Sequence, residues 1–162
     1  MDGDNEMKYL TALLIMLLSC NLTVCAQGGS GSTTSVEAGN TLTGGTMKIT
    51  IGDRVLIATL AHNSSAEALK ELLKTGPITI QMRDYGNMEK VGGLGRNLPT
   101  NDERITTEPG DLILYQGNSF VIYYAPNTWT FTRLGKINNV TREELINILG
   151  KGNVTVILDA IE

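Results

Sequence analysis

The sequence predicts a mainly β domain, a closed or nearly closed barrel with an α-helix packed over each opening. Three observations carry this expectation. Short apolar runs of strand length, bounded by Gly, Pro, Asn and Asp, recur from Met47 to the end of the chain. Only two segments of that region change to a 3.6-residue apolar period, and each opens on a capping signature. Six of the eight aromatic residues fall between Glu108 and Ile137, within three consecutive apolar runs.

Length and composition set the frame. The chain has 162 residues, room for one domain and a leader. Hydrophobic residues make up 41% and charged residues 19%, enough apolar surface for a core without a membrane-like composition. The net charge is −4, of which Asp2, Asp4, Glu6 and Lys8 contribute −2. A weakly acidic chain has no electrostatic attraction for a polyanion, so a nucleic-acid partner is not expected. Both cysteines, Cys20 and Cys25, precede the domain, which leaves it without a disulfide, a thiolate metal site or a Cys nucleophile.

Residues 1–26 read as an export signal. Lys8 supplies a positive flank, and residues 10–18 form an apolar run too short to span a bilayer. The acidic residues before Met7 are foreign to such a signal and make Met7 a second candidate start. Two endings compete, beside an uncleaved anchor. Val24-Cys25-Ala26 fits ordinary cleavage after Ala26, whereas Leu17-Leu18-Ser19-Cys20 resembles a bacterial lipobox with Cys20 lipidated. Each ending places the domain outside the cytoplasm, secreted, periplasmic or lipid-anchored at the envelope, with membrane contact only through the signal or lipid. Residues 27–45 are rich in Gly, Ser and Thr and nearly uncharged, the composition of a flexible linker.

The domain then runs from 46 to 162. Residues 47–51 and 54–61 form a hairpin about Gly52-Asp53. Ser64 and Glu67 have capping-box spacing before a helix whose stripe is Ala66, Leu69, Leu72 and Leu73, and Gly76-Pro77 ends it. Residues 78–82 are a third strand. Residues 83–109 are loop-like, long enough either to carry a role or to conceal short strands. Three aromatic strands follow at 111–115, 119–124 and 128–135. Thr141 and Glu144 form a second capping box ahead of Leu145, Ile146 and Leu149, with Gly150 as the stop. Residues 154–161 are the last strand.

Several residues invite a chemical reading. His62 is the sole histidine, and no partner is placed beside it by spacing, so it reads as a turn residue. Residues 92–96 (Gly-Gly-Leu-Gly-Arg) lack the Lys-Ser/Thr and the following helix of a phosphate loop. The carboxylates Asp84, Glu89, Asp102, Glu103, Glu108 and Asp111 include no pair that spacing fixes for acid/base work, and Asp111 after Pro109-Gly110 suits a turn. No metal site and no cofactor are expected. The aromatic strands carry the most information. Trp129, Phe131 and Arg133 alternate with Thr128, Thr130 and Thr132, while Phe120, Ile122 and Tyr124 oppose Val121 and Tyr123. Both faces are apolar, so one can fill a barrel and the other can line an external groove; core packing alone is the competing reading.

Gly110-Asp111, Ala125-Pro126-Asn127 and Leu134-Gly135-Lys136-Ile137 resemble the cyclophilin-like superfamily, and the blocks between 47 and 162 resemble a small bacterial branch of it. The resemblance implies a distorted eight-stranded barrel with two helices. It also implies a peptidyl-prolyl isomerase ancestry, in which an arginine stands beside an apolar proline pocket. Here Phe131 occupies the position of the family's pocket histidine, Ser119-Phe120-Val121 that of its Gln-Phe-Phe strand, and its Phe-Met-x-Gln strand has no counterpart. Arg83 and Arg133 are the candidates for the arginine. A groove for a peptide or small ligand would draw on Met82, Tyr85, Tyr115, Phe120, Tyr123, Trp129, Phe131 and Arg133. A binding module, a diverged isomerase of the envelope and a tethered interaction domain are the three functional expectations.

Overall fold

The structure, a computed structural model, describes residue 42 and residues 44–161. The expected signal, both cysteines and nearly all of the expected linker lie outside these residues. Nine strands and two helices follow in the order β1 (Thr46–Ile51), β2 (Arg54–Leu60), α1 (Ser64–Leu73), β3 (Ile78–Tyr85), β4 (Glu89–Gly93), β5 (Glu103–Thr106), β6 (Asp111–Tyr115), β7 (Ser119–Tyr123), β8 (Thr128–Ile137), α2 (Arg142–Leu149) and β9 (Val154–Ala160).

The sheet order is β2-β1-β9-β3-β4-β7-β6-β8-β5, and β2 also pairs with β8. Eight strands therefore close into a barrel, all neighbours antiparallel, and β5 is an added strand outside the ring. Closure rests on the length of β8. Its first part pairs with β5 (Ile105 opposite Trp129) and its last part with β2 (Thr59 opposite Lys136). Its middle pairs with β6, where the register shifts so that Leu112 faces Gly135 and Ile113 faces Arg133. Leu134 is the extra residue, a bulge that bends the strand toward closure.

The barrel interior is one apolar cluster. Met47 and Ile49 of β1, Ile80 and Met82 of β3, Leu112 and Leu114 of β6, Phe120 and Ile122 of β7, and Val156 and Leu158 of β9 all belong to it. Leu69 and Leu73 of α1 and Leu145 and Leu149 of α2 join the same cluster, so both helices direct their apolar stripes at the barrel core. α2 carries the expected capping box between Thr141 and Glu144. At α1 the cap moves by one residue: Asn63, not Ser64, is the N-cap, and its side chain accepts from the Ala66 amide at 2.9 Å. Asn63 in extended backbone carries out the same task, satisfying an amide that has no helical partner.

The region 83–109 is more ordered than a loop. β3 continues to Tyr85, and β4 and β5 both lie within it. Gly92 and Gly93 end β4 rather than forming a phosphate loop. A Cβ on Gly92 would stand 2.5 Å from Ile80 Cγ2 and 2.6 Å from the Gln81 carbonyl oxygen, so glycine is needed for β4 to approach β3 this closely. Between β4 and β5 the chain is tied down by polar side chains. Ser65 donates to the Pro99 carbonyl at 2.6 Å, and the Asn101 amide donates to Thr132 at 2.8 Å.

Candidate functional site

Strand parity decides which residues face out of the barrel. Phe120 and Ile122 point inward, so Val121 and Tyr123 point outward. The same alternation puts Ile113 and Tyr115 of β6, Glu89 and Val91 of β4, Arg83 and Tyr85 of β3, and Trp129 and Phe131 of β8 on the outer surface. Cross-strand register aligns them in rows: Tyr85 opposite Glu89, Glu89 opposite Tyr123, Arg83 opposite Val91, and Val91 opposite Val121. Ile113, Val121, Tyr123 and Phe131 form a second apolar cluster, against which Met88, Val91 and Ile105 pack.

On this cluster lies a cleft of about 460 Å³, lined by Arg83, Tyr85, Met88, Glu89, Val91, Tyr115, Gln116, Ser119, Val121, Tyr123, Asn127, Trp129 and Phe131. Its floor is aromatic and apolar. The Phe131 ring meets Tyr123 at 5.6 Å between centroids and Tyr115 at 6.3 Å edge-on. Its walls are accessible: Tyr85 is 62% exposed and Trp129 57%.

Of the residues anticipated for a groove, Tyr85, Tyr115, Tyr123, Trp129 and Phe131 line this one cleft, together with Arg83. Met82 and Phe120 do not open onto it. They are 1% and 0% exposed and belong to the barrel core, because each sits one residue out of phase with the outer face. Arg133 lies on the outer face but is engaged elsewhere: its guanidinium contacts the buried Asp111 carboxylate at 3.1 Å. Asp111 also accepts from the Glu108 amide at 2.9 Å, so the turn role expected of it includes an ion pair beneath β8. Glu108 pairs with Lys136 at 2.6 Å, which holds its carboxyl below the usual range. His62 is an exposed turn residue.

Two polar residues beside Tyr123, Glu89 and Asn127, were not expected in the groove from the sequence. Glu89 falls in the segment 83–109 that reads as loop-like, yet it is only 8% exposed. Burial raises its pKa, against a smaller opposing effect of the hydrogen bond it accepts from Tyr123. Burial, followed by the neighbouring Glu89 carboxylate, raises the Tyr123 hydroxyl in turn. Asn127 donates to the same hydroxyl at 3.2 Å. Only the outward parity of β4 marks Glu89 as a cleft residue, and that strand was hidden in polar sequence. The Arg83 side chain has neither an ion-pair nor a hydrogen-bond partner among the described residues.

A larger depression of about 1050 Å³ runs past Lys48, Ile57, Lys70, Lys74 and Asp159. Each of its lysines is already paired, Lys48 with Asp159 at 2.8 Å, Lys70 with Glu67 at 3.4 Å and Lys74 with Glu71 at 2.6 Å. It lacks the aromatic lining of the cleft. Among the described residues no three His, Cys, Asp or Glu side chains gather as a metal site.

The family model described as the Cyclophilin-like family matches residues 49–159, well over half of the chain. The chain belongs to the cyclophilin-like family. The match runs from β1 into β9 and so takes in every strand of this cyclophilin-like barrel. The solution structure of the hypothetical protein AF2241 from Archaeoglobus fulgidus is similar to it, with a TM-score of 0.53 and 13% identity over 72% of this chain and 94% of that one. At that identity the likeness concerns the fold alone. The structure of McbB in complex with tryptophan aligns at a TM-score of 0.48 and 15% identity, over 72% of this chain and 46% of that one. No curated protein matches the cyclophilin-like chain.

Proposed function

We propose that the protein is an exported cyclophilin-like binding module and that the outer cleft takes a peptide or small ligand with an apolar or aromatic group. The observation that carries this is the exposure of Tyr85 and Trp129 above a packed floor of Tyr123 and Phe131. Exposed rigid aromatics around a concave apolar surface suit recognition, since they desolvate a large area at small entropic cost. Export is supported by the composition of residues 1–26 and by the lipobox-like sequence ending at Cys20.

Trp129 is the only tryptophan of the chain, so its fluorescence reports on the cleft directly. Titration with short peptides holding an aromatic or prolyl residue should give a saturable change, and Trp129→Ala, read by amide chemical shifts, should abolish binding. Ligand-induced shifts confined to residues remote from Val121 and Tyr123 would refute the cleft as the site.

Diverged peptidyl-prolyl isomerisation is a second reading, and the unengaged Arg83 at the edge of the apolar cleft favours it. A guanidinium can withdraw density from the imide as the C–N bond rotates, and the X–Pro barrier makes any such aid measurable. Acceleration of X–Pro isomerisation that Arg83→Ala removes and Arg133→Lys preserves would support this reading. A rate equal to the uncatalysed one would eliminate it and leave the binding function standing.

A further inference from the structure

We propose that Glu89 is the specificity determinant of the cleft and selects ligands that carry an ammonium group on an apolar body. The inference rests on the cleft being the binding site. Among the described residues Glu89 is the only carboxylate in the cleft lining, and it sits in a surround of aromatic rings, with Tyr85 and Tyr123 directly opposite it on the two adjacent strands. A carboxylate among accessible aromatic faces is the arrangement that receives an organic cation: the rings attract it by their quadrupoles and the carboxylate by its charge. The Tyr123 hydroxyl is the one side chain whose interaction favours ionised Glu89, which leaves most of the carboxylate's acceptor capacity for a ligand.

The other charged groups on this face do not neutralise Glu89. Arg83 lies diagonally across β3 and forms no ion pair with it. Asp111, Arg133 and Lys136 pair among themselves on β6 and β8, and Glu103 stands beyond β8 on β5. Burial without a cation disfavours ionised Glu89, and an arriving ammonium supplies the missing partner.

Phenethylamine and 2-phenylethanol are matched probes that differ chiefly in the ammonium. Trp129 fluorescence should show the amine binding about tenfold tighter at neutral pH, the scale of one charge-assisted hydrogen bond. Glu89→Gln should remove that preference by weakening the amine while leaving the alcohol unchanged, and retained alcohol binding shows that the variant is folded. In the unaltered protein the preference should fade as falling pH protonates Glu89, whereas in Glu89→Gln the weakened affinity for the amine should not change over the same pH range. Equal affinity for the two probes, or a preference that survives Glu89→Gln, overturns the role of Glu89 and leaves the cleft intact. If neither probe binds, as read by fluorescence and by the amide shifts of Val121 and Tyr123, the cleft reading falls and this inference with it.

Discussion

Glu89 and Lys90 are neighbours in the chain, and strand parity sends them to opposite faces. Lys90 is fully buried; its ammonium contacts Asp84 at 2.8 Å and donates to the carbonyls of Gly150 at 2.9 Å and Gly152 at 2.6 Å. All three ammonium protons thus have an acceptor. Lys90→Met would strand those carbonyls and the Asp84 carboxylate. It should cost about 2 kcal/mol in urea unfolding, less than for a sealed ion pair because water reaches Asp84. Asp84 has a pKa below the usual range, first because of Lys90. The stability it contributes is present above the ordinary carboxylate range and is lost as pH falls through the depressed value, so Lys90→Met should also flatten the acid limb of a stability profile. Glu89 has the opposite sign. Its raised pKa means that the fold disfavours the ionised form, a penalty that appears as pH climbs above the ordinary glutamate value and is complete above the raised one. Glu89→Gln should therefore be more stable than the unaltered protein at neutral pH, with the difference vanishing in acid. Equal stabilities at neutral pH would contradict the burial of that carboxylate. Neither fate was legible in the sequence, where Glu-Lys amid Gly, Asn and Arg has the composition of a solvated loop.

Among the elements, β8 was the most legible and also the most consequential. The alternation of Trp129, Phe131 and Arg133 with three threonines fixes a strand from composition alone, and Trp129 and Phe131 share a face as that period requires. What periodicity cannot express is the bulge at Leu134, since it depends on pairing with β6. β7 shows the complementary difficulty. Both of its faces are apolar, so the sequence could not assign Phe120 to the core and Tyr123 to the cleft; the register with β4 and β6 does so. β4 and β5 were concealed because Glu, Lys and Gly are weak strand formers, and pairing of β4 with β3 and β7 and of β5 with β8 overrides that preference. The barrel seam is the element-scale test. A Cβ on Gly135 would lie 2.4 Å from the Thr59 carbonyl oxygen, backbone that cannot rotate away. Gly135→Ala should therefore open the β2–β8 pairing, costing about 2 kcal/mol by overpacking. Hydrogen exchange should show the protection of Ala61, whose amide donates to Leu134 at 2.9 Å, falling more than that of β4 or β7.

The molecule as a whole separates two apolar clusters on the two sides of one sheet. The inner cluster fills the barrel and includes both helices, whereas the outer one is four buried residues with Met88, Val91 and Ile105 packed against it. Division of this kind lets a closed barrel present an apolar cleft without opening its core. The strand that extends the outer layer is β5, which among the described residues pairs with β8 alone and has no strand on its far edge. Its four residues, Glu103 to Thr106, contribute one partly buried apolar side chain, Ile105. A strand with so few apolar contacts and one hydrogen-bonded edge opens at lower free energy than the ring it is attached to. Native-state hydrogen exchange should accordingly show the paired amides of β5 exchanging by local opening, well before those of β7, whose exchange should track global unfolding. Ile105 lies opposite Trp129, so a ligand that stacks on Trp129 favours the closed arrangement of β5 and should slow its exchange by the factor that mass action sets from ligand concentration and affinity. Protection of β5 that equals that of β7 without ligand would show instead that the outer layer unfolds only with the barrel.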